Sequence, residues 1–424
     1  MVFTNNVVLV TGSTGFLGKV VVEELLRLQE TETYDVKEVI LLLRKKGISD
    51  ARTRFEEDVA ASPCFVSLRQ GWKELVSIVE GDLGNSKCGL GDSEYESICR
   101  TVTHIIHTAG CIKFDSEVPE AVSSNIDSSR HVLALAKDCC NLHQLVITST
   151  AYVTPPQHGP IYEQLVSLPR PASELISGLS SGALGKQQAI AITGHPNIYS
   201  LSKCLAEHLV CETKGCPPVT LVRPSIICAA LRHPAPGWID SHAAFAGIVL
   251  GFGNGALRVV NGRPETKLDI VPVDLVAGCL IREAFRQDTR AFSRSSPRIV
   301  LSVATMEKSL TLGEACEMLE VFFNKGSFRY IGPQGHLFDF YQFLHHYLPL
   351  HLYATICRIS GNRRKEKGAR KAWKTISGMN VVFDPYTNHT HDFRPNQTMA
   401  SFDPRHYMQI ICKGVHKNLM HSRL

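Results

Sequence analysis

The chain has little net charge: 45 basic against 40 acidic residues leave +5 over 424 positions. So small and dispersed a surplus excludes any charge-based argument for a nucleic-acid partner. The 14 cysteines include no paired C-x-x-C sets, and the only adjacent pair is Cys139-Cys140. That excludes a zinc-ribbon pattern and a disulfide framework, and leaves reduced thiols in a reducing compartment as the expectation. No metal-ligand constellation is expected. No secretory signal precedes the apolar run at Val7. The sequons Asn388-His-Thr390 and Asn396-Gln-Thr398 therefore carry no weight. Internal repeats and low-complexity tracts are missing as well. What remains is a globular composition, 44% hydrophobic and 20% charged. The length suits one large α/β domain with a smaller appendage.

The rest of the chain is organised around residues 7–26. Val7 to Val10 is a short β-branched run suited to a buried parallel strand. Gly12, Gly15 and Gly18 follow as G-x-x-G-x-x-G. Leu17, Val21, Leu25 and Leu28 then recur at helical spacing. Strand, glycine turn and helix make a phosphate site: residues without a Cβ let backbone N–H groups approach an anion at a helix N-terminus. The spacing differs from the G-x-G-x-x-G of two-domain dehydrogenases and suits the short-chain dehydrogenase/reductase type. Thr11, Gly12, Thr14, Gly15, Phe16, Leu17 and Gly18 are the expected phosphate-loop residues.

Five further buried runs alternate with helical patterns. Glu38–Leu43 is a strand followed by Arg44-Lys45-Lys46, with Arg52 and Arg54 on a helix beyond. An acid just past this strand would select NAD, and a base pairs with the 2′-phosphate of NADP. Arg44, with Arg54, therefore points to NADPH. Val76–Val79 leads to Asp82 and Leu83, where Asp82 either accepts from the adenine amino group or closes a turn. His104–Gly110 ends in Ala109 and Gly110, small enough for a cofactor to lie on the backbone. His104 and His107, three apart on a strand, face opposite ways and read as structural. Asn125 is expected to open a helix to Lys137 and either to bond strand backbone near the nicotinamide or to cap a turn. Gln144–Thr150 delivers hydroxyls at its carboxyl end, where open parallel sheets place ligands. Residues 155–195 read as a loop-rich insertion. Val219–Val222 precedes Arg223, Pro224, Ser225 and Ile226, the last three expected to contact the cofactor. The alternation predicts a doubly wound parallel sheet of the Rossmann type.

Tyr199 and Lys203 stand four apart on a helix predicted over residues 197–209, hence on one face. An ammonium beside a phenol favours phenolate and can hold ribose hydroxyls of the cofactor. Tyr199 could then protonate a carbonyl oxygen as hydride reaches the carbon. Thr150 or Ser149 would donate the second hydrogen bond to the developing oxyanion. Cys111 and Cys204 lie near these motifs but read as packing residues, so no thiol nucleophile is required.

Thr11–Lys19, Ser149–Val153, Tyr199–Lys203, Arg223–Ile226, Pro236–Asp240 and Asp269–Asp274 together resemble the fatty acyl-CoA reductases, which are extended short-chain reductases. The resemblance spans residues 7–280. It implies NADPH-dependent reduction of a long-chain acyl-CoA to the fatty alcohol through a hemithioacetal and an aldehyde, as in the supply of wax and ether-lipid precursors. It implies Gly12, Gly15 and Gly18 as the phosphate loop, Arg44 as the 2′-phosphate contact, and Thr150, Tyr199 and Lys203 as the catalytic set. Ser202 stands where the family usually has Thr. The other readings are a sugar-nucleotide epimerase, a hydroxysteroid dehydrogenase, or an idle NADP-binding scaffold at a membrane.

The division expected is a reductase domain over residues 1–300 and a small helical "male sterility" domain over 301–424. Residues 241–256 could line an acyl tunnel or form an ordinary buried helix. Leu337–Cys357 is aromatic and amphiphilic, but Asp339, three histidines and Pro349 disfavour a transmembrane span. Arg363, Arg364, Lys365, Lys367, Arg370 and Lys371 follow, so residues 337–374 suit an interfacial membrane anchor or a core helix beside a solvated one. Ser422-Arg423-Leu424 is a variant of the Ser-Lys-Leu peroxisomal address, with the import receptor as the implied partner.

Overall fold

The computed structural model of the chain describes residues 5–287, 297–333 and 335–420. The expected peroxisomal tripeptide 422–424 lies outside the described residues. Seven strands form one sheet: β1 (Asn6–Thr11), β2 (Val36–Leu43), β3 (Val76–Glu80), β4 (His104–His107), β5 (Gln144–Thr148), β6 (Val219–Pro224) and β7 (Arg298–Ser302). Their spatial order is β7-β6-β5-β4-β1-β2-β3, and every pairing is parallel. The order reverses between β1 and β4, which opens a crevice at the carboxyl ends of those strands.

Both faces of the sheet are covered, so its strands read as near-continuous apolar runs. Val7, Leu9, Ile40, Leu42, Ile105, Leu145 and Ile147 pack with Ile98, Val132, Leu135 and Val210 from helices on one side. The intervening Val8, Val10, Leu41 and Ile106 are also fully buried and point to the opposite face. Helices α1 (Phe16–Glu30) and α3 (Val273–Ala284) pack against one another, and α3 lies along β4, β5 and β6. The buried stripe of α1 is centred on Val21, Val22, Leu25 and Leu26, with Leu17 and Leu28 only half-buried. Truncating one such core leucine, Leu9 for example, would cost roughly 2–5 kcal/mol.

The helix expected to open at Asn125 begins earlier, at Val118. A π-turn over Val122–Asp127 carries it into Ser128–Asp138, so Asn125 lies inside it and caps nothing. Residues 155–195 also depart from expectation. They hold the helices Ala172–Ser181 and Lys186–Thr193 and a short strand, Pro160–Tyr162. Ala172, Leu175, Ile176 and Leu179 form an apolar stripe within a Ser- and Gly-rich stretch, and Gly182 (φ +76°) ends the first helix. Tertiary burial of that stripe overrides the composition.

The chain forms two compact units, each of three segments. The first comprises Met1–Pro236, Val271–Val303 and Phe393–Met399. The second comprises Gly237–Ile270, Ala304–Asp392 and Ala400–Leu424. A single division at residue 300 is therefore corrected: residues 237–270 leave the reductase unit. The second unit is mostly helical, with Phe245–Gly253, Leu312–Phe323, Leu348–Ile359, Arg363–Thr387 and Pro404–Val415. Phe245–Gly253 is a buried helix whose Phe252 stacks on Phe328, centroids 4.0 Å apart. Within the first unit, Asp274 accepts from the backbone N–H groups of Leu231 (2.8 Å), Arg232 (2.9 Å) and His233 (3.3 Å). An acid of the resembling motif is thus consumed in holding a loop.

Candidate active site

A cleft of about 470 Å³ lies in the first unit at the carboxyl ends of β1–β4. Its floor is the glycine turn. Gly12 adopts φ +78°, and a Cβ there would stand 2.6 Å from the Ala109 nitrogen. A Cβ at Gly18 would overlap the Gly12 carbonyl oxygen. Only glycine lets β1, α1 and the end of β4 approach this closely. Helix α1 starts at Gly15 with no capping side chain and no acid in its first turn. Its positive end is therefore unopposed by a carboxylate of its own, as an anion site requires.

Of the residues expected to hold a cofactor, Gly12, Thr14, Gly15, Arg44, Arg54, Asp82, Leu83, Ala109 and Gly110 line this cleft. Arg44 is exposed there. Arg54 is buried and already engaged: it donates to the Arg44 carbonyl (2.8 Å), to Thr14 Oγ1 (3.2 Å) and to Asp58 Oδ2 (3.0 and 3.1 Å). It ties the end of β2 to the glycine turn and leaves Arg44 as the outward guanidinium. Asp82 Oδ1 accepts from Gly84 N at 3.0 Å, closing a turn, while its exposed carboxylate still faces the cleft.

Other expected residues stand behind the wall. Thr11 is buried, its hydroxyl 2.8 Å from His107 Nδ1. Phe16, Leu17 and Gly18 form the first turn of α1. Pro224 ends β6, Ser225 follows it, and Ile226 starts a short strand. His107 is held neutral, pushed down to about 3 by burial and by the Lys203 charge. His104 is pushed down to about 3 by burial beside His143. Among the described residues no group of three or more His, Cys, Asp or Glu side chains could hold a metal ion.

Thr150, Tyr199 and Lys203 are not among the residues that line this cleft; the last two lie on α2 (Ile198–Glu212), capped by Asn197, whose side chain accepts from Ser200 N. Lys203 is buried, and its Nζ donates to the Thr148 carbonyl at the end of β5, 3.0 Å away. The same Nζ would stand 3.1 Å from a Cβ on Gly110, itself a residue of the cleft lining. Burial pushes this amine down to about 8, while Glu207 and Cys111 oppose the shift. Tyr199, one turn earlier, is half-buried, and its ring meets Phe114 edge-on at 5.4 Å. Phe114 directly follows the cleft residues Cys111, Ile112 and Lys113. Thr150 is buried, and its hydroxyl oxygen accepts from Tyr152 N at 3.3 Å, which leaves the hydroxyl proton to donate. Asn125 accepts from Cys111 N (2.9 Å) and donates to Cys111 O (3.1 Å) and Ser202 Oγ (2.9 Å). It stitches the segment after β4 to α2.

Two participants, Glu207 and Phe114, escaped the sequence reading, and a third, Ser202, was noted there without its contact. Glu207, one turn beyond Lys203, pairs with Arg223 of β6 at 2.8 and 2.5 Å, both side chains at most 2% exposed. Phe114 backs the Tyr199 ring, and Ser202 receives Asn125. Glu207 was findable, because i,i+4 from Lys203 places it on the same helix face. Its partner on β6, 16 residues on, carried no such signal. Cys204 is buried and its thiol is pushed well up by burial. Cys111 is half-buried, with Sγ 3.7 Å from Glu120 Oε1.

Residues 10–280 match the family described as male sterility protein. Fatty acyl-CoA reductase wat of Drosophila melanogaster is 33% identical over 291 residues, which cover 67% of this chain and 55% of that protein. The chain thus spans about half the length of that relative. Probable fatty acyl-CoA reductase 5 of Arabidopsis thaliana is 28% identical, covering 90% of this chain and 86% of its own. Among solved structures, the terminal R domain from the myxalamid PKS-NRPS biosynthetic pathway superposes with TM-score 0.67 at 17% identity, covering 98% of this chain and 92% of that one. At that identity the likeness is one of fold.

Proposed function

The chain belongs to the fatty acyl-CoA reductase family, and on that premise we propose that it reduces long-chain fatty acyl-CoA with NADPH, through the aldehyde, to the fatty alcohol. Such alcohols are precursors of waxes and ether lipids. The observation that carries this reading is the buried Lys203 amine, one turn from Tyr199, held on the Thr148 carbonyl and set beside the cleft residue Gly110.

The glycine turn, shaped so that a Cβ would fill it, would hold the pyrophosphate at the N-terminus of α1. Arg44 would pair with the 2′-phosphate, and Asp82 faces the adenine end. NADPH, when bound, would supply one hydride to each of two reductions: of the thioester, to a hemithioacetal that releases CoA as the aldehyde forms, and then of the aldehyde to the alcohol. Lys203 would hold ribose hydroxyls and, as a cation one helical turn from the Tyr199 phenol, would favour loss of the phenolic proton. Tyr199 gives its proton to the substrate carbonyl oxygen, and the Thr150 hydroxyl donates the second hydrogen bond to the oxygen as it gains charge. No thiol is needed, consistent with the burial that disarms Cys204.

Tyr199→Phe tests the reading. It should leave NADPH binding intact by fluorescence titration while lowering palmitoyl-CoA-dependent NADPH oxidation by roughly 10²–10⁴-fold. Undiminished turnover overturns the mechanism. A wild-type chain that binds NADPH but shows no thioester-dependent oxidation would be an idle scaffold. Gas chromatography of the products separates aldehyde from alcohol.

A further inference from the structure

The second unit carries an apolar surface that its own fold leaves uncovered. Residues 336–359 form one helical run, passing through a π-turn at Phe343–Tyr347. At 1.5 Å per residue it is about 36 Å long. One side is buried: Phe338, Gln342, His346, Ala354 and Cys357. His346 Nε2 accepts from Arg258 N at 2.8 Å and Val259 N at 3.2 Å, which fixes the rotation of the helix. The other side holds Leu337, Phe340, Leu344, Leu348, Leu352, Ile356 and Ile359, each between 37% and 83% exposed. Their spacing of three and four residues makes a single stripe along the whole run. Soluble monomers rarely expose an apolar patch larger than a few hundred Å².

The run turns at Ser360–Asn362 into the helix Arg363–Thr387. Residues 363–374 of that helix carry seven cations, Arg363, Arg364, Lys365, Lys367, Arg370, Lys371 and Lys374, all exposed, against one acid, Glu366. Glu366 is engaged by Arg370 at 3.2 Å. Among the described residues no helix is long and apolar enough to cross a membrane, and Asp339 and Arg358 interrupt the run.

From this pairing of a continuous apolar stripe with a cation cluster at its end, we infer that residues 336–374 dock in the plane of an anionic lipid bilayer. The stripe sinks into the boundary between headgroups and acyl chains, and the cations meet lipid phosphates and carboxylates. The choice of occupant rests on charge. A second copy of this surface would add seven more cations and only one acid, whereas an anionic leaflet complements them.

The test is flotation of the full chain with vesicles of phosphatidylcholine, alone or with about one-third phosphatidylserine. The wild type should float with the phosphatidylserine vesicles, more weakly with phosphatidylcholine, and less as salt rises. Leu344→Asp with Leu352→Asp should abolish flotation. Arg363→Ala, Arg364→Ala and Lys365→Ala together should weaken partitioning to phosphatidylserine vesicles roughly 100-fold, on the scale of a few-fold per cation. These side chains are exposed, so circular dichroism and NADPH binding should match the wild type. Wild-type protein that stays with the soluble fraction, or a stripe variant that floats as the wild type does, overturns the inference. So does a wild-type dimer in analytical ultracentrifugation that the stripe variant converts to monomer while neither binds vesicles.

Discussion

Glu207→Gln separates the structural and chemical roles of one buried carboxylate. Glu207 shares a bidentate pair with Arg223, at 2.8 and 2.5 Å, with both side chains at most 2% exposed. The guanidinium keeps one other partner, the Gln164 carbonyl at 3.0 Å. Neutralising the acid strands a buried cation, which destabilises by about 3–5 kcal/mol. That is a large part of the 5–15 kcal/mol typical of a domain. The second effect is on Lys203, which burial pushes down to about 8 against the opposing pull of Glu207. Without that carboxylate the ammonium deprotonates at lower pH, so the basic limb of kcat/KM moves down from near 8. A companion double variant, Glu207→Gln with Arg223→Met, removes the stranded cation. Replacing a whole buried pair by apolar groups is near neutral or better, so it should regain most of the lost stability. It should not regain the basic limb, because Lys203 still lacks its counter-charge. Urea denaturation and pH–rate profiles on all three proteins read both effects. An unchanged denaturation midpoint in Glu207→Gln would refute the energetic argument. A basic limb that returns in the double variant would refute the electrostatic one.

Gly18→Ala drives a methyl into the Gly12 carbonyl; it should destabilise by about 1–3 kcal/mol and weaken NADPH binding in a fluorescence titration, and wild-type affinity would contradict the close-approach role. Arg44→Ala should cut the preference for NADPH over NADH by roughly 10–100-fold, the worth of a charge-assisted hydrogen bond, with NADH kinetics little changed; equal losses with both cofactors would point away from a 2′-phosphate contact. The buried amine also links stability to pH. Lys203 titrates near 8 in the folded chain but near 10.4 when unfolded, so between those values the unfolded state binds more protons. This group's contribution to stability therefore rises with pH across that window, and Lys203→Met should flatten that part of the denaturation profile.

Six of the seven strands were legible because parallel strands buried on both faces are continuous apolar runs; the edge strand Arg298–Ser302 was not read as one. The glycine turn was legible because Gly12 and Gly18 satisfy a local steric demand. Tyr199 and Lys203 were legible because helical spacing alone puts them on one face. The helix Ala172–Ser181 was hidden by serine and glycine, because its stability comes from burying Leu175, Ile176 and Leu179 in the tertiary structure and not from propensity. The start of the helix through Asn125 was misplaced because a π-turn carries no strong periodic signature.

What the sequence determined by itself is what short-range physics controls: strand burial, the close approach of backbone at the glycine turn, the shared face of Tyr199 and Lys203, and the sign of the charge at Arg44. Only the tertiary structure decided which cation faces the cleft, because Arg54 is spent on Thr14, Asp58 and the Arg44 carbonyl. It alone placed Arg223 on Glu207, moved residues 237–270 out of the reductase unit, and set which side of residues 336–359 stays bare. Each of these depends on contacts between residues distant in the chain, and those contacts exist only once the chain has folded.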